Sequence, residues 1–190
     1  MRATDNLELE HRRIRKVAEA CALFSGELRR GTIIPAKVLQ SLVDFLRLYA
    51  ERYHHEEEQW LFGMLRGKGV PAEIYPIATL SREDDKLRVL VDQLAQATDV
   101  YQKTDGRVMG TLADTLQSLA LLYRGHIWKE DYLLLPMANK ILSAEDQQLL
   151  AETFHLIDDS LGEDARRSVA QLSTAIKECA LCAEPQDHVA

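Results

Sequence analysis

Two segments of this chain each place a histidine four residues before a glutamate: His54 precedes Glu58, and His126 precedes Glu130. On an α-helix, residues four apart lie one turn apart on the same face. A neutral imidazole and a carboxylate held in this way can bind one transition-metal ion, and two such helices that face each other can bind two. The spacing therefore predicts helices that meet around a metal site.

Glycine and proline divide the chain into long helical segments with little of the alternation that is typical of strands. Four helices are predicted. The first runs from a cap at Thr4 or Asp5 to about Arg30 and Gly31, and the second from near Pro35 to Gly67-Lys68-Gly69. The third begins after Pro71 and Pro76 and reaches about Thr104 and Gly106, and the fourth runs from near Arg107 to a kink or stop at Leu135-Pro136. Beyond them, Ser143-Ala144-Glu145-Asp146 is typical of a helix cap, and two shorter helices separated by Gly162 are predicted to reach Cys179.

Each long segment carries an apolar stripe that is interrupted by a group able to bind metal. The stripes are Leu7, His11, Ile14, Ala18, Cys21, Ser25 and Leu28; Leu39, Leu42, Leu46, Ala50, His54, Glu58, Leu61 and Leu65; Ile77, Leu80, Asp84, Leu87, Val91 and Leu94; and Leu112, Leu116, Leu119, Tyr123, His126, Glu130 and Leu133. A lone carboxylate buried there would cost roughly several kcal/mol unless it were paired or bound to a metal. The four stripes therefore predict one core with a metal site.

Simpler interpretations exist for each of these residues taken alone. A single histidine such as His11 is usually a hydrogen-bonded core residue, and Glu58 belongs to an acidic run of the kind that often faces solvent. Asp84 could pair with Arg88 or cap a helix that starts near Ser81. The coincidence on four separate stripes favours the metal site over these readings.

Composition and charge exclude several classes of function. A chain of 190 residues that is 46% hydrophobic suits one domain with a substantial core. The net charge of −7 and the pI near 5.4 argue against a nucleic-acid partner, which requires a basic face. The charged N-terminal segment lacks a signal sequence, no apolar run has transmembrane length, and three cysteines do not form a disulfide framework. We therefore expect a cytoplasmic protein without a membrane partner.

Other polar residues carry less weight. His55 projects about 100° from His54 on a helix and is interpreted as exposed or as a neighbour of the ligands. His155 and His188 lack a matched partner. Cys179 and Cys182 have the spacing of a redox or metal pair, but two packing cysteines on a terminal helix are the favoured interpretation.

Three motifs carry a resemblance to a known family. They are Leu9-Glu10-His11-Arg12-Arg13-Ile14, the stretch from Tyr53-His54-His55-Glu56-Glu57-Glu58 to Phe62, and the most specific one, from His126-Ile127-Trp128-Lys129-Glu130-Asp131 to Ala138. With these motifs, and with similarity that continues through Leu142–Gln147, the chain resembles the bacterial hemerythrin-like (HHE cation-binding) domain family over nearly its whole length.

The resemblance implies an all-α, up-down four-helix bundle with additional C-terminal helices and a non-haem di-iron centre. The bundle would span 1–142, the C-terminal helices of the same domain 143–184, and a tail 185–190. The ligand positions implied by the family are His11, His54, Glu58, His126 and Glu130, with the two glutamates as bridges between the irons.

The third helix departs from the family pattern. Where the family usually has Glu-His, followed four residues later by Arg, this chain has Glu83-Asp84 and then Arg88. Aspartate can ligate iron, and its hard anionic oxygen would favour the ferric state compared with imidazole. The expected site is therefore rich in oxygen, with manganese or a mixed pair as alternatives to two irons, or it is weakened or mononuclear.

Three classes of function follow from this site. The first is a protein that binds or senses O₂, NO or peroxide at a di-iron centre. The second is an enzyme that turns over peroxide or NO, with Tyr53 or Tyr123 as a proton or electron donor, although no catalytic residue is assigned. The third is an interaction module that keeps the fold but has little metal. The sequence leaves the oligomeric state open.

Overall fold

The computed structural model describes residues 2–104 and 109–178, and every regular element within these residues is helical. The elements are α1 (Ala3–Arg29), α2 (Ala36–Phe45), a first π-helical segment (Leu46–His54), α3 (His55–Gly67), α4 (Ile77–Lys103), α5 (Met109–Lys129), a second π-helical segment (Glu130–Leu134), α6 (Leu135–Ile141) and α7 (Ala144–Glu178). The first π-helical segment joins α2 and α3 into one rod over 36–67. The second joins α5 and α6 into one rod over 109–141.

Four rods form the bundle: α1, 36–67, α4 and 109–141. α1 and α4 both pack against α5, and α2 packs against α4. Short connections join successive rods, so neighbours along the chain run up and down. Their inward faces form one apolar core, whose largest fully buried side chains include Phe24, Phe45, Ile14, Leu42 and Leu80. The predicted all-α, up-down bundle with additional helical structure at its C-terminal side is confirmed.

The C-terminal region contains one long helix where two were predicted. α7 continues through Gly162, so the expected break there is wrong. A glycine inside a helix costs only about 1 kcal/mol relative to alanine, and α7 buries an apolar face on both sides of that position. The buried residues are Leu150, Phe154, Ile157, Ala165, Leu172 and Ala175. This face packs against α2, the first π-helical segment and α3, which outweighs the local cost.

The predicted cap of this helix is confirmed. The Ser143 hydroxyl accepts a hydrogen bond from the Asp146 backbone N–H at 3.2 Å, and the Asp146 carboxylate accepts one from the Ser143 backbone N–H at 2.8 Å. This reciprocal pair satisfies two backbone donors that would otherwise be free at the helix start.

The ends of α1 and α3 depend on glycines with positive φ. Gly31 and Gly69 have φ values of 83° and 85°, a region that side chains with a Cβ rarely adopt. Both lie where the sequence predicts a helix end. At the other end of α1, the helix begins at Ala3, and Thr4 is a buried residue whose hydroxyl donates to Asn139 at 2.7 Å instead of capping the helix.

The two π-helical segments were not predicted. Hydrogen bonds from residue i to i+5 make these turns wider than in an α-helix, and such insertions occur often at functional sites. The second one ends immediately before the first turn of α6, which contains Pro136. The predicted disturbance at Leu135-Pro136 is thus accommodated by a change of helix type. The predicted start near Arg107 and the break at Gly106 lie outside the described residues.

Among the described residues, no helix is both long and apolar enough to cross a membrane.

Candidate metal centre

The six residues proposed as ligands from the sequence come together in the centre of the bundle. His11 comes from α1, His54 ends the first π-helical segment, Glu58 lies in α3, Asp84 in α4 and His126 in α5, while Glu130 begins the second π-helical segment. All six side chains are more than nine-tenths buried. Each π-helical segment therefore contains a residue of this cluster.

One part of the cluster contains two imidazoles and two carboxylates. The Nε2 atom of His54 lies 3.4 Å from Oε1 of Glu58, and Nε2 of His11 lies 3.7 Å from that same oxygen. Nε2 of His11 is also 3.4 Å from Oε2 of Glu130. The candidate ligand atoms of these four residues all lie within 4.8 Å of one another, which is the arrangement of a cation site.

A second part lies beside it and shares Glu130. The Nε2 atom of His126 lies 2.7 Å from Oε1 of Glu130 and 3.2 Å from Oδ1 of Asp84. Glu130 therefore turns one oxygen toward His11 and the other toward His126. A carboxylate in this position can bridge two cations.

Several of the buried atoms that face this centre lack a hydrogen bond. They are Nε2 of His11, Oε1 of Glu58, Oδ2 of Asp84 and both carboxylate oxygens of Glu130. Their short approaches to neighbouring imidazoles are not directed as hydrogen bonds are. A buried polar atom without a partner costs about 1–3 kcal/mol, more when it is charged. The donor set thus fits a cation that would bind these atoms.

Three further carboxylates hold the three imidazoles from behind. Nδ1 of His54 contacts Glu10 at 2.8 Å, Nδ1 of His126 contacts Glu83 at 3.2 Å, and Nδ1 of His11 contacts Asp131 at 2.5 Å. A proton on Nδ1 fixes the ring and leaves the Nε2 lone pair free, which is the usual support of a metal-bound histidine. This support is strong evidence that the Nε2 atoms are arranged for a metal.

Sequence reasoning missed these supporting residues, although a signal was present. Each of them is next in sequence to a proposed ligand: Glu10 to His11, Glu83 to Asp84 and Asp131 to Glu130. Each contacts the imidazole of a different helix from its own. The cations of Arg15 and Lys129 approach the outer carboxylates, at 2.5 Å from Asp131 and 2.9 Å from Glu83. A charged residue beside a core ligand is thus part of the site when the packing turns it toward a neighbouring helix.

The electrostatics of the cluster also favour a bound cation. Burial lowers the pKa of His54, but Glu58 and Glu10 together outweigh it and hold that pKa well above the ordinary value. Glu130, Glu83 and Glu58 together do the same for the pKa of His126. Burial, together with the neighbouring Glu58 carboxylate, raises the pKa of Asp84 to about 7. Without a cation, the carboxylates must therefore be balanced by protons on their neighbours.

Comparison with known proteins agrees with this geometry. The family model of the Hemerythrin HHE cation binding domain matches residues 2–138, well over half of the chain. The chain belongs to this family. Uncharacterized proteins of Mycobacterium tuberculosis and Mycobacterium bovis are 26% identical to it over 153 residues, 80% of this chain and 59% of theirs. The chain therefore spans less than two thirds of the length of these curated relatives. No solved structure matches it significantly.

Within this hemerythrin HHE domain, some alternative interpretations can be excluded. Arg88 contacts Asp85 at 3.1 Å and Glu51 at 3.8 Å, so the alternative in which it pairs with Asp84 is wrong. Asp84 lies inside α4 and does not cap it. Cys179, Cys182 and His188 lie outside the described residues.

The two tyrosines beside the motifs differ in position. Tyr123 lines the central cavity, and its hydroxyl donates to Glu51 at 3.3 Å. The Tyr53 hydroxyl instead donates to Asp158 of α7 at 3.4 Å. Only Tyr123 is placed where it can act on a ligand bound at the centre.

His55 lies beside two of the proposed ligands, which is the second of the two positions expected for it from the sequence. It is half-buried, and its Nδ1 atom lies 3.8 Å from Glu58 Oε2 and 3.8 Å from Asp84 Oδ2. These three residues form a second group whose ligand atoms lie within 4.8 Å of one another.

Proposed function

We propose that this hemerythrin HHE domain binds two iron ions and uses them to bind or sense O₂, NO or peroxide. The observation that carries the proposal is the convergence of unpartnered nitrogen and oxygen atoms from four rods on one buried centre. The proposed ligands are His11, His54, Glu58, Asp84, His126 and Glu130.

The ligand chemistry supports iron. Imidazole combined with carboxylate suits iron, whereas sites built only from oxygen suit magnesium, calcium or manganese. Asp84 adds a third carboxylate and favours the ferric state, which makes manganese or a mixed pair the main alternative. Bound iron would supply open coordination positions and one-electron chemistry.

The size of the centre supports a small ligand. The cavity lined by His54, Glu58, Asp84, Tyr123 and His126 has a volume of about 20 Å³. A cavity needs roughly 10–15 Å³ to hold one water molecule. Such a space is about that of one water molecule, which suits a ligand of one or two heavy atoms and is too small for a larger organic substrate.

Reconstitution of the metal-free chain tests this function. We expect anaerobic Fe(II) to bind at two ions per chain, air oxidation to produce ferric charge-transfer absorption in the near ultraviolet, and NO to change the visible spectrum of the ferrous protein. His126→Ala should lose iron. Wild-type protein that holds no more iron than this variant would contradict the proposal and favour the interaction module; tighter binding of Mn(II) would reassign the metal.

A second candidate function, turnover of peroxide or NO, is favoured by the position of Tyr123. Burial and the Glu51 carboxylate raise its pKa well above the ordinary value, so the phenol keeps its proton at the cavity wall. Tyr123→Phe should leave the iron content at the wild-type level and slow turnover at least tenfold if Tyr123 donates a proton or an electron. An iron-loaded wild-type protein without turnover supports binding or sensing alone.

A further inference from the structure

The second metal position is poorer in imidazole than the first. Around the first lie His11 and His54, whereas among the six proposed ligands only His126 faces the second. Asp84 occupies the position at which the family pattern has a histidine. Its Oδ2 atom is buried and has no hydrogen bond.

His55 faces the carboxylate oxygen of Asp84 that His126 does not face. Its Nδ1 atom lies 3.8 Å both from Asp84 Oδ2 and from Glu58 Oε2. It also lines the cavity that contains His126 and Glu130. Asp84 therefore has an imidazole from α3 beside Oδ2 and an imidazole from α5 beside Oδ1.

The first π-helical segment explains why two consecutive histidines face one centre. The backbone N–H of His55 bonds to the carbonyl of Ala50, five residues earlier. A turn closed in this way contains more residues than an α-helical turn, so neighbouring side chains are separated by less than the roughly 100° of an α-helix. His54 and His55 can then both point to the same core.

We infer that His55 binds the second metal ion through Nδ1 and supplies, from α3, the imidazole that α4 lacks because residue 84 is aspartate. This inference rests on the proposed metal-binding function and adds a seventh ligand to it. The metal would be held there by His55, Glu58, Asp84, His126 and Glu130.

The surroundings of the His55 ring suit this role. The amide of Gln59, one turn later, lies 3.2 Å from Nε2. Rotation of that amide presents its oxygen to Nε2, which can then keep its proton and leave the Nδ1 lone pair for a metal. The side chain of His55 is 18% exposed, more than those of the other three histidines, so a metal bound there would lie nearer to solvent.

Metal titration of the full-length chain tests the inference. Metal-free wild type, His55→Gln and the control His155→Gln, an exposed histidine on α7, would be titrated anaerobically with Fe(II) against a chromophoric chelator. We expect His55→Gln to keep the first iron and to weaken the second roughly 100-fold or more, beyond the 10–100-fold effect of losing an outer contact. His155→Gln should match wild type.

A relocated imidazole separates ligation from a structural effect. In the double variant with His55→Gln and Asp84→His, the imidazole moves to α4, and we expect the second iron to be recovered to within about tenfold of wild-type affinity. If wild type binds two irons and His55→Gln binds two equally well, the inference is wrong while the proposed function stands. A wild type that binds none contradicts both, and failure of the double variant to recover iron argues against ligation by His55.

Discussion

Replacing Glu130 by glutamine should separate the stability that metal binding supplies from the stability of the fold itself. Glu130 is fully buried, and its two oxygens face His11 and His126, one in each part of the cluster. Glutamine keeps the shape of the side chain but removes the charge that would bridge two cations. The metal-free variant also loses the charge that faces the His126 imidazole, so its own Tm is the baseline from which its metal-dependent increase is measured.

The size of the effect follows from mass action. A metal that binds only the folded state at 100 times its Kd stabilises it by about 2.7 kcal/mol, so two sites give about 5 kcal/mol. For a chain of this length, 1 kcal/mol shifts Tm by about 2–4 °C. Iron should thus raise the Tm of wild type by about 10–20 °C, and Glu130→Gln should lose most of this increase.

Calorimetry of metal-free and Fe(II)-loaded protein measures the increase, and Glu57→Gln is the matched control. Glu57 is equally buried and also has an oxygen without a hydrogen bond, but it contacts Asn6 at 3.3 Å and lines a separate surface pocket. Its variant should retain the full metal-dependent increase. If Glu130→Gln keeps the wild-type increase, or if Glu57→Gln loses as much, the assignment of Glu130 as a bridge is refuted.

Variants at Glu57, Asp84 and Asp131 test the surroundings of the centre. In metal-free protein, burial and the nearby Glu10 carboxylate raise the pKa of Glu57 to about 9. The folded state therefore binds more protons than the unfolded state between about pH 4.5 and 9. The free energy of unfolding falls as pH rises through this range, by at most about 1.4 kcal/mol per pH unit. Glu57→Gln should flatten this fall in urea titrations at pH 6 and pH 9, and an unchanged slope would assign it to other groups. Asp84→His should lower the preference for ferric iron and lengthen the lifetime of an oxygen adduct, whereas Asp84→Ala should weaken one metal; unchanged spectra and iron content in both would show that Asp84 is not a ligand. Asp131→Ala should weaken iron binding about 10–100-fold in chelator competition, since it removes the group that orients His11; equal affinity would make that contact purely structural.

The spacing of residues along the chain was sufficient for the helices and for the candidate ligands. Helical periodicity is local, so His54 and Glu58, four residues apart, had to share a face wherever the helix packed. The apolar stripes then showed that this face is buried. Glycines such as Gly31 also marked helix ends from the sequence, because positive φ is a property of a single residue.

Tertiary structure decided everything that depends on which helices face each other. The contact of Glu10 with His54 joins different rods, and no periodicity within one helix specifies it. The position of His55 depends on a change of hydrogen bonding within a rod, and the unbroken course of α7 through Gly162 depends on the apolar surface against which it packs. These features arise from distant contacts that outweigh local preference, and for that reason the sequence determined the helices and candidate ligands while the packing determined how the site is assembled.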